Sequence, residues 1–447
     1  MSEFTSAGTR TRILNQVISG FILLVLAVSP LMIGSNRPVF WMINSAVLMA
    51  VTALVLFLVT FGVMKLRFSF WRWKLIGALG LVYIAGLTLQ MGLSALWPNS
   101  GMQSQGTMLI GLLRVISYGC LFFLTLQVAT NVKRARRLAW GVFGVVVVMS
   151  IYSLLAQQSP DLLFYEKSES VTVVTGPFIN RNSLATYLAF GCALGTALVL
   201  RSDREGLMRN KRGRMDVEMV AGRLALFVAV LLMFATILTT GSRMGTFVGL
   251  LGILVPVVLR ISQAEKASGS RQALVGLSIT VVAVLSFILV SAMYGGVVFD
   301  RLGSTGMAAD VRWALYENVW SVALQRPFTG HGFDSFELAF RAGHELPVSP
   351  DLRWQNAHNT YLELWVELGF ILGSLPPLIS LAVLWRLIKR GATNQYTGYL
   401  AQAAVAAIVI AAVHSFVDFS LEIEANVFLF IVIAGLGLAP DDSKIKP

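Results

Sequence analysis

The stretch Ile13–Gly34, ILNQVISGFILLVLAVSPLMIG, decides the fold. It carries no charged residue and, as a helix rising about 1.5 Å per residue, is long enough to cross roughly 30 Å of hydrocarbon. Arg10 and Arg12 precede it. A cleaved signal peptide would have a shorter apolar core and a small-residue cleavage site. This run is longer, and a second apolar run, Val39–Gly62, follows at once. The reading is an uncleaved first transmembrane helix followed by another.

The same pattern recurs along the chain. Of the 447 residues 56% are apolar and only 13% are charged, against roughly 25% charged in soluble domains. Apolar runs fall at about 13–34, 39–62, 75–97, 108–130, 138–156, 183–200, 222–240, 244–260, 273–294, 359–385, 398–417 and 421–438. The ten-residue alternation of a transmembrane barrel is missing. The expected fold is an all-α membrane protein of about 12 transmembrane helices. Residues 1–294 hold helices 1–9, with an outward loop at 157–182 and a basic inward linker at 201–223. Residues 295–358 form a large outward loop domain, and 359–447 hold helices 10–12 and a tail.

Charge sets the expected orientation. A net charge of +12 suggests nucleic acid only until the charges are sorted by position. Alternate inter-helix segments carry 25 of the 35 basic residues but only 8 of the 23 acids. Excess Lys and Arg marks the cytoplasmic side, so both termini are expected there, with 157–182 and 295–358 on the outer, periplasmic side and no nucleic-acid partner. Cys120 and Cys192 lie inside apolar runs and read as small buried hydrophobes rather than a disulfide framework.

Chemistry on the outer face lacks ATP, so it must draw on an activated group in the substrate. Four polar clusters fall at that boundary. Gly176-Pro177-Phe178-Ile179-Asn180-Arg181-Asn182 places Arg181 at a helix mouth, where guanidinium and helix N–H groups can hold an anion; the bland alternative is a snorkelling anchor. Thr239-Thr240-Gly241-Ser242-Arg243 is so short that Arg243 is held at the membrane face, where a charge usually faces protein or water. Residues 308–325 read as a helix closed by Pro327. Trp313, Tyr316, Trp320 and Leu324 lie near one stripe of it, on the membrane surface or under the loop. Asp310, Arg312 and Tyr316 also lie on it and could be an ordinary solvated face. Gly330, Gly332 and Gly343 mark turns.

The fourth cluster begins Gln355-Asn356-Ala357-His358-Asn359. A neutral imidazole at His358 could take a proton from a sugar hydroxyl; otherwise it caps the helix. Glu363 and Glu367 share one helix face and need a cation or a shared proton near lipid, for which Arg114 in the fourth span is a candidate. His414 and Asp418 are one turn apart and could pair, with Glu422 and Glu424 nearby in a structural role. His331, His344, His358 and His414 show no metal-type spacing, so no metal site is expected.

Taken in order, Gly-Pro-Phe-x-Asn-Arg-Asn, Gly-Ser-Arg, Arg312 with Pro327-x-x-Gly330-x-Gly332, and His358-Asn359-x-x-Leu362-x-x-x-x-Glu367-Leu368-Gly369 resemble the O-antigen ligase and polymerase family. The early Pro30-x-x-x-Gly34-Ser35-Asn36-Arg37-Pro38-x-x-Trp41 also resembles members that make surface polysaccharides. The resemblance implies a metal-independent periplasmic glycosyltransferase without a cofactor. Its donor would be a glycan on undecaprenyl pyrophosphate. A ligase passes the glycan to the lipid A core, and a polymerase to a second carrier-linked glycan. It implies Arg181, Arg243 and Arg312 as pyrophosphate-binding residues and His358 as general base, with Asn180, Asn182, Asn359, Tyr316 and Glu367 as supporting candidates. A second histidine of the family pattern has no matched position here.

The chemistry agrees with that assignment. Guanidinium forks suit phosphate oxygens, and an imidazole with an ordinary pKa of about 6.5 can accept a proton at neutral pH. Direct displacement inverts the anomeric carbon, and no second carboxylate is placed for a double displacement. The rival class is a 12-helix transporter or lipid flippase. The two halves show no repeat, and the polar residues gather at the outer boundary rather than at mid-membrane, where transporters bind.

Overall fold

The computed structural model describes residues 2–66, 73–96, 105–165, 173–201, 217–266, 309–343, 345–346, 348, 353–391 and 398–438. The described residues are all-helical. In chain order the helices are α1 (Ser2–Leu31), α2 (Pro38–Thr60), α3 (Lys74–Leu96), α4 (Gln105–Ala129), α5 (Val132–Gln158), α6 (Arg181–Val199), α7 (Val217–Thr239) and α8 (Arg243–Lys266). They continue with α9 (Ala309–Gln325), α10 (Phe336–Gly343), α11 (Thr360–Gly373), α12 (Leu375–Gly391), α13 (Gly398–His414) and α14 (Glu424–Gly437). Single 3-10 turns occupy Ile33–Ser35, Pro160–Leu162 and Ser420–Glu422.

Local sequence sets the helix starts. Asn131, Asn180 and Asn359 each turn a side-chain oxygen onto a backbone N–H of the first turn that follows, satisfying a donor the helix leaves unpaired. Pro38 opens α2, where its missing N–H costs nothing.

Helices α1–α8 are each long and apolar enough to cross a membrane. The expected ninth span, 273–294, lies outside the described residues, as do most of the 201–223 linker and residues 295–308. The expected tenth span, 359–385, is not one straight helix. It divides into α11 and α12, bent by 65°. A loop also intrudes within α11 and kinks it at Gly369. The Val366 and Glu367 carbonyls accept from His331 and Gly332 N–H (both 2.9 Å), and Phe370 N–H donates to Pro327 O at 2.7 Å. Gly369 takes φ +73° to allow this, and Pro376 and Pro377 follow in the first turn of α12. Helices α13 and α14 have 17 and 14 residues. They stop short because residues 415–423 between them form an internal turn that carries site residues.

Helix α6 is the axis of the bundle. Ser183–Leu198 is buried throughout, and α6 packs on α5, α7, α8, α13 and α14. Lipid tails are as apolar as the helices, so association depends on close packing. Small residues permit it: a side chain at Gly252 of α8 would come within 2.7 Å of the Ala189 carbonyl of α6.

The bundle has two chemically distinct ends. At one, Arg201 lies over Trp140, Arg223 donates to the Arg201 carbonyl and Arg386 lies over Trp73, alongside the Lys133–Arg137 cluster that opens α5. The other end gathers the 32–37, 173–180, 240–242, 353–359 and 415–423 connections, and it holds the polar site.

Candidate functional site

Arg181 and Arg243 are the first residues of α6 and α8. The Ser242 hydroxyl caps α8 by accepting from Gly245 N–H at 3.0 Å, and it donates to Asn182 Oδ1 at 2.8 Å. That bond fixes the two helix starts side by side. Each start carries partial positive charge from unpaired N–H groups, and each bears a guanidinium. Arg243 is exposed and Arg181 half-buried.

The third participant is the 415–423 turn. Asn182 Nδ2 donates to buried Asp418 Oδ1 at 2.7 Å, and the Ser420 hydroxyl donates to the other oxygen of Asp418. Thr360 bonds the same turn twice, through its N–H to Ser415 O at 2.9 Å and its hydroxyl to Asp418 O at 3.2 Å. Asn359 caps α11 and donates to Phe416 O at 3.1 Å. The Tyr316 hydroxyl of α9 reaches both the His358 carbonyl, at 3.0 Å, and the Phe416 carbonyl, at 3.3 Å.

His358 therefore sits in a frame. It does not cap α11, because Asn359 does. Its φ of +53° is unusual for a non-glycine residue, and its ring meets Phe419 edge-on at 5.0 Å and Trp354 at 6.5 Å. Phe419 also lines a cleft of about 340 Å³, together with Asn180, Arg181, Gln355 and Asn356. Phe419 thus packs against His358 and lines a cleft with Arg181, with Arg243 on the adjoining helix start.

Residues 228–376 match the model of the O-antigen ligase family. The similarity to that family covers about one third of the chain. No curated protein matches it. The matched O-antigen ligase segment takes in Arg243, Tyr316, His358, Glu363 and Glu367. It leaves out Arg181, Asn36 and the 415–423 turn, which the fold brings to it.

Two expected pairings are corrected. Arg114 does not neutralise Glu363 and Glu367. It ion-pairs with Asp334 at 3.1 Å, Glu424 at 3.9 Å and Glu422 at 4.0 Å, and lies 4.1 Å from the centre of the Trp41 ring. The glutamates instead receive loop donors. Glu363 accepts from Asn356 Nδ2 and Ala357 N–H, both at 2.9 Å, and Glu367 from Phe336 N–H at 2.9 Å. Nor do His414 and Asp418 hydrogen-bond each other: His414 Nδ1 meets the Thr186 hydroxyl at 2.6 Å, while Asp418 serves Asn182 and Ser420.

Burial pushes the Glu422 carboxyl above the usual range against the pull of Arg114, and the charge of Asp334 adds to the rise. His331 is buried and joins its Nε2 to Val322 O at 3.0 Å. Burial lowers its pKa, against the Val322 hydrogen bond, and Arg326 adds to the fall. Arg312 and Asp310 are on α9 with side chains outside the described residues, and His344 lies outside them altogether.

Asn36, Thr175, Asp334, Asp418 and Phe419 were not singled out from sequence as reactive-site residues. Asn36 stood inside the quoted early motif and Asp418 in the last polar cluster, so each had a signal. Phe419 and Thr175 had none.

Proposed function

We propose that the protein transfers a glycan from an undecaprenyl pyrophosphate carrier to an acceptor hydroxyl, at the outer face of the inner membrane. The observation that carries this is the hydrogen-bonded junction that joins the helix starts bearing Arg181 and Arg243, with Arg181 lining the same cleft as Phe419, whose ring packs against His358. The positive-inside rule supports the orientation, since the opposite end holds the basic clusters.

In this reading Arg181 and Arg243, joined by Arg312, hold the pyrophosphate. Charge neutralisation makes it a good leaving group. His358 Nδ1 or Nε2 takes the proton of the acceptor hydroxyl as the new glycosidic C–O bond forms and the bond between the anomeric carbon and the pyrophosphate oxygen breaks. One displacement inverts the anomeric configuration. The shaped frame around His358 contributes proximity, which can supply several kcal/mol of barrier lowering. Ligation to lipid A core is the leading form. Polymerisation onto a second carrier-linked glycan uses the same donor site and base.

Purified protein in nanodiscs, given carrier-linked glycan and lipid A core, should form product with EDTA present. His358→Ala should reduce turnover at least about 10²-fold, the lower range for a general base, with insertion and thermal stability unchanged. Full turnover in that variant would remove the mechanism. Offering both acceptors in one reaction separates ligase from polymerase.

A further inference from the structure

The cleft has a polar lining that the pyrophosphate and the base do not account for. Asn36, Asn180, Gln355 and Asn356 contribute four carboxamides, Thr175 a hydroxyl and Phe419 an aromatic ring. Arg181 is the charged side chain among them, and among the described residues no carboxylate lines the cleft. A carboxamide presents both donors and acceptors, the match for hydroxyl groups that do both. Asn180 commits its oxygen to Asn182 N–H at 2.8 Å, and Asn356 its NH2 to Glu363 at 2.9 Å. The first is left with amide hydrogens to give and the second with a carbonyl oxygen to receive. An aromatic ring beside such groups suits the apolar C–H face of a pyranose. The volume of about 340 Å³ falls at the small end of ligand clefts, fitting one ring with its substituents rather than a chain.

The sequence bends the backbone unusually to bring Asn36 here. Ile33, Gly34 and Ser35 all take left-handed φ, of +57°, +66° and +55°. Two of the three are non-glycine, an arrangement that persists only where the surroundings enforce it. Gly34 is also pressed against Phe178, where a side chain would come within 2.7 Å of the ring. Trp41 Nε1 holds the turn from the other side by donating to Ser35 O at 2.7 Å. The packing thus joins the 33–36 turn to the 175–179 turn, and both face the cleft.

We propose that this cleft binds the first sugar of the donor, the pyranose bonded to pyrophosphate, as an uncharged ring held through its hydroxyl or acylamino groups by Asn36, Asn180, Gln355 and Asn356. The inference rests on the glycosyltransfer reading and deepens it: a sugar attached to a pyrophosphate at Arg181 has its ring in the adjoining space. It brings the anomeric carbon to the place where His358 works, and it makes these amides determinants of donor sugar choice.

Equilibrium binding to the full chain in nanodiscs tests this without requiring turnover. The probes are carrier-linked glycan and bare undecaprenyl pyrophosphate. The wild type should bind the glycan-linked carrier about tenfold more tightly than the bare one, as expected of a few neutral hydrogen bonds. The double variant Asn36→Ala/Gln355→Ala should lose most of that advantage while its Kd for bare carrier stays within about twofold. Gln355→Ala alone, in an exposed position, gives a partial loss and guards against a folding defect at the 33–36 turn. Equal weakening toward both probes, or no sugar advantage in the wild type, would overturn the proposal. Preference for the glycan without transfer to any acceptor would leave the sugar site standing and remove the transferase reading.

Discussion

Glu363 places one carboxylate oxygen on Asn356 and the other on Ala357, the two residues before His358. With the Tyr316 hydroxyl on the His358 carbonyl, the loop is gripped on both sides of a strained φ. Gln at 363 would turn an NH2 toward one of those two donors. Glu363→Gln should therefore lower kcat about tenfold or more, the loss expected of a hydrogen bond to a charged group, with donor KM nearly unchanged because Arg181 and Arg243 are untouched. A kinetic split with KM rising and kcat constant would show that Glu363 does not position His358. Residue identity alone made His358, Arg181 and Arg243 legible, since cations and an imidazole beside apolar runs are conspicuous. It could not show that Arg114 turns to Asp334, Glu422 and Glu424, because those partners lie far away in the chain, whereas the Asn359 cap is local, bonding Tyr361 and Leu362 N–H, and Asn is a favoured N-cap residue. His331 carries a pH signature as well. Its folded pKa lies below the ordinary 6.5, so the folded state favours the neutral ring. Its contribution is full above about pH 6.5 and is lost as pH falls through that value toward the lowered one. Thermal stability in detergent should fall on acidification across that window, and His331→Gln should flatten the dependence on pH by the share His331 contributes.

At the scale of elements, two quoted motifs prove to be halves of one contact. Pro327-x-x-Gly330-x-Gly332 and Glu367-Leu368-Gly369 lie backbone to backbone, joined by the bonds that open the α11 ladder. Gln90 of α3 braces the junction by donating to the Thr329 and Glu367 carbonyls. A side chain at Gly369 would come within 2.7 Å of the Phe328 carbonyl, and the position has φ +73°. Gly369→Ala should destabilise the protein by about 1–3 kcal/mol, the cost of a left-handed non-glycine residue, read as a lowered Tm. An unchanged Tm would show that the loop yields freely. Apolar runs located α2–α8, α13 and α14 to within about six residues, because membrane length and hydropathy dominate there, whereas α1 begins well before its apolar run, at Ser2. The bend between α11 and α12 was hidden, since residues 359–385 are apolar enough for one span, and so was the kink at Gly369, whose intruding loop sits some forty residues upstream. The short helix α10 was likewise unread, since its amphipathic face is only eight residues long and is specified by packing on α9 and α11.

For the molecule as a whole, everything proposed depends on which end of the bundle faces outward. The connections 32–37, 173–180, 240–242, 353–359 and 415–423 converge at one end, and the Lys133–Arg137 group, Arg201 and Arg223 stand at the other. If the basic end is cytoplasmic, an undecaprenyl-borne donor in the outer leaflet meets Arg181 and Arg243 directly. If it is not, the same residues would face a compartment supplied with nucleotide-activated sugars, and a lipid pyrophosphate donor would lose its rationale. Single exposed cysteines decide between the two. Arg37 and Lys133 are both exposed and lie at opposite ends, while the native Cys120 and Cys192 are partly and fully buried, so their background is small. In intact cells a membrane-impermeant maleimide should label Arg37→Cys within minutes and leave Lys133→Cys unlabelled until the cells are opened. The reverse pattern would place the cleft in the cytoplasm, and the glycan-transfer proposal would fall even with the fold and the site geometry intact.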